Sequence, residues 1–244
     1  AVLEAKTGAF IDVGVNRGQT FCKLLYFAPD RPYVGFEPQV SCAYAMERFI
    51  ENNDLRNTIV IPVGLADKAG LCRIMRRSGI SDSTASIVTG FRPESFYNKS
   101  SFIPIMKGDD ALKDVWNDDI CVIKIDVEGG ELEVLKGLEG TLSQRRPFLI
   151  FEVLNNYLIV GHKEVSQDTI NFRNERANAI TDFLHNRNYR LFNIIGGRIV
   201  NIARIVPIVS DDITITDYIA IPDEVYDRSE TLSAFDGLVS ADDV

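Results

Sequence analysis

The stretch Phe10-Ile-Asp-Val-Gly-Val-Asn-Arg-Gly-Gln-Thr20 decides the fold of this chain. An apolar run broken only by Asp12 leads into Gly14, Asn16 and Gly18, and a segment with helical character follows. This order predicts a strand, a glycine loop and a helix, in which the loop brings backbone N–H groups close to a ligand.

The spacing of the glycines narrows the choice of ligand. A dinucleotide site needs Gly-x-Gly-x-x-Gly, and a phosphate loop needs Gly-Lys followed by Ser or Thr. The loop after this strand has neither pattern. An acidic strand end beside an open glycine turn suits a cofactor that carries an amine and a carboxylate, so we predict S-adenosylmethionine.

The composition is that of an ordinary globular protein, with 244 residues, 45% hydrophobic residues and a net charge of -9. The acidic balance argues against a nucleic-acid partner, which requires a basic surface. No apolar run is long enough to cross a membrane. Four scattered cysteines and two histidines predict neither a zinc site nor a disulfide framework, and we expect a reducing, cytoplasmic location.

Further predicted strands alternate with helical segments, and acidic residues stand at the strand ends. These strands, each given with its acids, are Tyr33–Pro38 with Glu37, Thr58–Val63 followed by Asp67, Ile120–Val127 with Asp126 and then Glu128, and Pro147–Val153 with Glu152. We also predict short strands over residues 71–75 and 102–106, one amphipathic helix over Leu132–Leu142, a hairpin over residues 189–205 and a last strand over 217–222. The pattern predicts an α/β, doubly wound, mostly parallel sheet with an antiparallel C-terminal finish. Ligands of such sheets bind outside the carboxyl ends of the strands, where these acids fall.

We predict a single domain over residues 1–222 and an acidic C-terminal tail over 223–244, with one short docked helix around Leu232–Leu238. Residues Ser78–Ser101 are rich in Ser, Thr, Gly and Asn. A stretch of this length without periodicity is either a functional lid or mobile loop, or a plain surface excursion.

Several segments together resemble the FkbM-type methyltransferases, in the same sequence order. They are Asp12–Thr20, Glu37-Pro38, Gly64–Asp67, Lys124–Glu131 followed by Val134–Gly137, and Pro147–Glu152. The similarity runs from about Phe10 to about Pro222, and Lys124-Ile-Asp-Val-Glu-Gly-Gly-Glu131 is its specific part. The resemblance implies a class I, Rossmann-like methyltransferase with a seven-stranded sheet. Its reaction would be the S-adenosylmethionine-dependent O-methylation of a sugar or secondary metabolite, with a small-molecule or glycan acceptor.

The resemblance also implies roles for individual residues. The expected cofactor-binding residues are Asp12, Gly14, Asn16, Gly18, Thr20, Glu37, Pro38, Ala66, Asp67 and Asp126. Among them, Glu37 is assigned to the ribose hydroxyls and Asp67 to the adenine amine, with a surface acid and an Asx turn as the respective alternatives.

The expected catalytic residues are Asp126, Glu128 and His162. Asp126 or Glu128 would be the base for a hydroxyl acceptor, and Glu128 could instead serve the following helix N-terminus. His162 is a second base candidate, or an exposed loop histidine. A further alternative is that Asp126, Glu128 and Glu152 bind Mg²⁺ through oxygen ligands.

Two other functions stay open from the sequence. One is an NAD-dependent or nucleotide-sugar oxidoreductase, which the glycine spacing disfavours. The other is a cofactor-binding module without catalytic activity, which the acids at the end of the Ile120–Val127 strand disfavour. The sequence does not predict an oligomeric state.

Overall fold

The computed structural model describes residues 2–77, 79, 81–156, 166–210 and 212–227. The strands in this part of the chain are β1 Ala9–Val13, β2 Tyr33–Phe36, β3 Thr58–Ile61, β4 Gly64–Ala66, β5 Gly70–Arg76, β6 Lys99–Lys107, β7 Ile120–Ile125, β8 Phe148–Glu152, β9 Tyr189–Ile195, β10 Arg198–Ile202 and β11 Asp217–Pro222. The helices are α1 Val2–Ala5, α2 Gln19–Phe27, α3 Val40–Asn52, α4 Gly108–Val115, α5 Glu131–Gly137, α6 Glu139–Arg145, α7 Gln167–His185 and α8 Asp223–Tyr226.

Eight of the described strands form one sheet in the order β10-β9-β11-β8-β7-β1-β2-β3. The five strands from β8 to β3 are parallel, whereas β11 pairs antiparallel with both β8 and β9, and β10 pairs antiparallel with β9. The predicted fold class is therefore confirmed, including the antiparallel finish. The sheet has one strand more than the seven expected.

The central strand β7 explains why the sheet is stable. Cys121, Val122, Ile123 and Ile125 are fully buried, because helices and loops cover both faces of the sheet. The one polar residue of this strand, Lys124, lies opposite Asp12 of β1 in the register. Two apolar clusters, one on each face, surround these strands.

A second sheet of three strands, in the order β4-β6-β5, lies outside the main one. The sequence predicted single short strands at residues 71–75 and 102–106, but not that they pair with each other. Pro62 ends β3, because proline donates no hydrogen bond to a neighbouring strand, and β4 then starts in the new sheet.

The helices differ from the sequence-based expectation in two places. The segment Leu132–Leu142, predicted as one helix, is divided into α5 and α6. The chain at Gly137 packs so closely that a Cβ there would lie 1.9 Å from the carbonyl oxygen of Ala66. This tertiary contact lies at the break between the two helices. The apolar periodicity of the segment does not indicate it. Helix α4 was not predicted.

The first residues of the predicted acidic tail pack on the domain as α8. Val225 is buried in the apolar cluster, and Arg190 makes ion pairs with Asp223 and Asp227. The rest of that tail, with the predicted helix around Leu232–Leu238, lies outside the described residues.

Candidate active site

A cavity opens at the carboxyl ends of β1, β2 and β7, where the doubly wound fold predicts a ligand. Its polar wall includes Asn16, Glu37, Gln39, Asp126 and Glu128. Its apolar wall includes Leu65, Ile74, Ile87, Ile103 and Ile105 from the second sheet and the segment between β5 and β6. One side of the cavity can therefore hydrogen-bond a ligand, and the other side can enclose a flat apolar group.

Gly14 forms the floor of the turn after β1. Its φ is +91°, and a Cβ at this position would lie 1.9 Å from the backbone oxygen of Asp126. The amide of Asp126 in turn donates to the carbonyl of Val13 at 2.9 Å. The loops after β1 and β7 thus touch through their backbones, and only glycine fits between them.

Glu37 fastens the glycine loop to the end of β2. Its Oε2 accepts the backbone N–H of Asn16 at 2.7 Å, and its Oε1 accepts the backbone N–H of Gln39 at 2.8 Å. The residue is 3% exposed, and burial raises the pKa of its carboxyl although both amide donors oppose that shift. Each carboxylate oxygen keeps the capacity for a second hydrogen bond, such as one from a ligand hydroxyl.

Three carboxylates form an acidic cluster beside the cavity. Asp126, Glu128 and Glu152 each place an oxygen within 4.8 Å of the others. Lys124 pairs with Asp126 at 3.0 Å, and the guanidinium of Arg92 pairs with Glu128. Glu128 itself has a positive φ of 55°, which turns the chain between β7 and α5.

The charge balance of the acidic cluster argues against the Mg²⁺ alternative. Two of the three carboxylates already have a cation, so the cluster lacks the unbalanced charge that a hard dication binds. Burial first, and then Asp126 and Glu128, raise the pKa of Glu152 to about 8, so its carboxyl holds a proton at neutral pH. The three oxygens are close enough to share one ion, but the two ion pairs weigh against Mg²⁺ as their ligand.

Asp12 lies inside the sheet and does not line the cavity. It is fully buried, accepts a hydrogen bond from the hydroxyl of Tyr33 at 2.7 Å, and lies 3.8 Å from Nζ of Lys124. Burial raises the pKa of Asp12 to about 6, against the opposing effect of Lys124. Asp12 thus makes a contact between strands, since it faces Lys124 in the register of β1 and β7, and this position gives no support to its predicted contact with the cofactor.

The remaining predicted residues divide between the cavity and positions away from it. The predicted residues that line the cavity are Gly14, Asn16, Glu37, Pro38, Asp126 and Glu128. Those that do not line it are Asp12, Gly18, Thr20, Ala66 and Asp67. Asp67 is exposed on the turn after β4, because the chain leaves the main sheet at Pro62, so its position gives no support to an adenine contact. His162 lies outside the described residues.

Residues 81–98, here called the cover segment, close one side of the cavity. The sequence did not predict which residues this segment contacts. Gln39 and Asp82 share two hydrogen bonds. Nε2 of Gln39 donates to the carbonyl of Asp82 at 3.1 Å, and the backbone N–H of Asp82 donates to Oε1 of Gln39 at 2.9 Å. Ser86 donates to the carbonyl of Glu128 at 2.7 Å, and Arg92 is 3% exposed in its ion pair. A lone arginine in a polar stretch was the only sequence signal for these contacts.

Two buried acids, Asp12 and Glu131, and the partly buried Glu152 give a prediction for the pH dependence of stability. Burial raises the pKa of Asp12 to about 6, of Glu131 to about 7 and of Glu152 to about 8. The folded chain therefore holds protons that the unfolded chain has released, and the free energy of unfolding falls as pH rises through this window. We expect a loss of at least about 1 kcal/mol between about pH 5.5 and about pH 8 in urea titrations. Stability that rises with pH over this range would contradict these assignments.

The family model described as the methyltransferase FkbM domain matches residues 12–191, well over half of the chain. No curated protein matches the chain at a significant level. Within the described residues, no helix combines the length and the apolar character needed to cross a membrane.

Several solved structures align with this chain at low sequence identity. The methyltransferase FkbM from Methylobacillus flagellatus is 15% identical with a TM-score of 0.51, and the match covers 88% of this chain but only 43% of that one. An SAH-bound methyltransferase from Podospora anserina is 9% identical with a TM-score of 0.45, covering 88% of this chain and 70% of that one. A methyltransferase from Streptococcus mutans, described as putative and solved in complex with SAH, is 9% identical with a TM-score of 0.44. The match covers 88% of this chain and 87% of that one.

Proposed function

Because the chain belongs to the FkbM methyltransferase family, we propose that it binds S-adenosylmethionine in the cavity at the ends of β1, β2 and β7. We further propose that it methylates a hydroxyl group of a sugar, a glycan or another small molecule. The observation that carries the proposal is Glu37, a buried carboxylate at the end of β2 that lines this cavity. An open α/β sheet uses an acid at this place to bind the two hydroxyls of a ribose.

The residues of the cavity fit an adenosine group. Glu37 offers two oxygens with spare hydrogen-bonding capacity, and the apolar side chains of Leu65, Ile74, Ile103 and Ile105 can enclose a flat base. The close approach of the backbone at Gly14 to that of Asp126 brings the loops after β1 and β7 together on the wall of the cavity. When bound, S-adenosylmethionine supplies an electrophilic methyl group on a positively charged sulfur.

The protein's own part in the reaction is to position the acceptor and to exclude water. Asp126 and Glu128 lie at the wall where the acceptor is expected, and Lys124 and Arg92 fix their carboxylates. The cover segment closes the site through Gln39, which holds Asp82 by both hydrogen bonds. A carboxylate held in this way can accept a hydroxyl proton.

The test of O-methylation is transfer of a labelled methyl group from S-adenosylmethionine to a panel of hydroxylated sugars and phenols, with matched amines beside them. The proposal predicts label on oxygen in the product. Label only on nitrogen would contradict O-methylation, and binding of the cofactor without transfer to any acceptor would favour a non-catalytic binding module.

Replacing Glu37 by glutamine gives a prediction for cofactor affinity. The amide group of glutamine must turn an NH₂ toward the N–H of either Asn16 or Gln39, so one of these hydrogen bonds is lost. The ribose also loses a charged acceptor. We expect S-adenosylmethionine to bind about 10- to 100-fold more weakly by calorimetry, from a loss of about 1.5–3 kcal/mol. The control is Glu51→Gln, which replaces an exposed acid on α3. Equal affinity of Glu37→Gln and Glu51→Gln for S-adenosylmethionine would refute the assignment of Glu37.

A further inference from the structure

The second sheet carries a groove that the proposed function does not use. Successive residues of a strand point to opposite faces of its sheet. On β5, the buried Ile74 lines the cavity of the candidate active site, whereas its neighbours Arg73 and Met75 line the groove. The volume of this groove is about 330 Å³, and we call it the outer groove. Its other lining residues are Glu94, Tyr97, Asn98, Lys99 and Ser100.

The outer groove is basic, although the chain as a whole is acidic with a net charge of -9. Arg73 and Lys99 line the groove, Arg76 ends β5, and Arg77 follows it. Within the part of the chain that the structure describes, none of these four cations forms an ion pair. The acidic residue in the lining of the groove is Glu94. Cations grouped without counter-charges attract an anion.

The pairing of β5 with β6 brings two of these cations together. Arg76 lies directly opposite Lys99 in the antiparallel register, and like charges in this position destabilise a sheet. Arg76 is half-buried, so water and salt screen this repulsion less than they would between two exposed side chains. An anion bound at this end of the two strands would offset the repulsion.

We propose that the outer groove binds the phosphate group of a small ligand, with Arg73 and Lys99 as its cations. An arginine guanidinium binds phosphate oxygens through two parallel hydrogen bonds, and a lysine supplies a point charge. Asn98 and Ser100 offer further donors, and the ring of Tyr97 offers an apolar surface for the carbon atoms of an ester. A concave site of this volume suits a small molecule better than a polymer.

The cover segment connects the outer groove with the candidate active site. It contributes Tyr97 and Asn98 to the outer groove, and Ala85 and Ile87 to the cavity. The hydroxyl of Tyr97 also accepts a hydrogen bond from Nη1 of Arg92, at 3.3 Å. A phosphate ester in the groove would therefore contact the same segment that closes the cavity. Its binding requires no methyl donor, so this inference does not depend on the proposed function.

The test is calorimetry with inorganic phosphate, glycerol phosphate and glycerol, in a phosphate-free buffer at constant ionic strength. We expect both phosphate compounds to bind the wild type, and glycerol not to bind. Arg73→Gln/Lys99→Gln should bind the phosphate compounds about 10- to 100-fold more weakly, because it loses charge-assisted hydrogen bonds. The control is Arg48→Gln/Arg56→Gln, which removes the same net charge from two exposed ion pairs and should bind as the wild type does.

The relative affinities identify the source of the phosphate group. Tighter binding of glycerol phosphate than of inorganic phosphate would assign an ester to the outer groove, and the reverse order would assign the free anion. Both orders support a phosphate site.

Two results would overturn the inference. One is the absence of binding by both phosphate compounds, and binding of polyphosphate alone would then assign the cations to a charged polymer. The other is equal affinity of the two double variants. Thermal unfolding gives a second measurement, since phosphate should raise the midpoint of the wild type and the control above that in chloride of equal ionic strength, but not the midpoint of Arg73→Gln/Lys99→Gln. An equal rise in all three proteins would also contradict the assignment.

Discussion

Replacing Gly14 by alanine is expected to abolish S-adenosylmethionine binding and to lower the free energy of unfolding by about 2–5 kcal/mol. Two effects add. The φ of +91° is unfavourable for a residue with a side chain, and the new Cβ would lie 1.9 Å from the oxygen of Asp126. The loops after β1 and β7 would have to separate, which moves Asn16 away from Glu37. Urea titration and calorimetry measure the two losses.

Gly197→Ala is the matched control for Gly14→Ala. Gly197 has a similar φ of +79°, but its Cβ would meet no atom within 4 Å. Its replacement should cost only the backbone strain, about 1–2 kcal/mol, and should leave cofactor affinity unchanged. If the two variants lose the same stability and both bind S-adenosylmethionine, the contact between the loops is not what requires glycine at position 14.

Replacing Arg92 by methionine is expected to cost about 2–4 kcal/mol of stability, because it leaves the partly buried carboxylate of Glu128 without its cation. The side chain of Arg92 is 3% exposed, and its guanidinium also donates to the carbonyl of Thr84 and the hydroxyl of Tyr97. Its ring contacts with Phe96 hold it within the cover segment. Urea titration of the variant against the wild type measures the loss.

The loss in Arg92→Met should depend on pH. Burial raises the pKa of Glu128, so lowering the pH protonates it and removes the unpaired charge. We therefore expect a larger loss at about pH 8 than at about pH 5.5, and a smaller loss when Glu128→Gln is added. Arg204→Met is the control, since the exposed pair of Arg204 with Asp182 contributes at most about 1 kcal/mol. A loss as small as that of the control would show that the Arg92 pair does not hold the cover segment.

The main sheet could be predicted from the sequence because its signals are local. The run of apolar residues in β7 requires burial on both faces, and four of the five parallel strands end at an acid or a glycine turn. Glu37 and Asp126 were assigned to the ligand side for this reason, and the structure places both on the wall of the cavity.

The contacts that complete the site depend on residues far apart in sequence, and no local pattern marks them. Gln39 and Asp82 are 43 positions apart, and Arg92 and Glu128 are 36 positions apart. The pairing of β5 with β6 in a second sheet is similarly distant. Asp12 was assigned to the cofactor because it precedes Gly14, whereas its register with Lys124 places it inside the sheet.

The most direct test of the account is a crystal structure of this chain with S-adenosylhomocysteine. The account predicts the ligand in the cavity at the ends of β1, β2 and β7, with both ribose hydroxyls within hydrogen-bonding distance of the Glu37 carboxylate and the base against Ile74 and Ile103. A ligand bound elsewhere on the chain, or bound in this cavity without contact to Glu37, would contradict it.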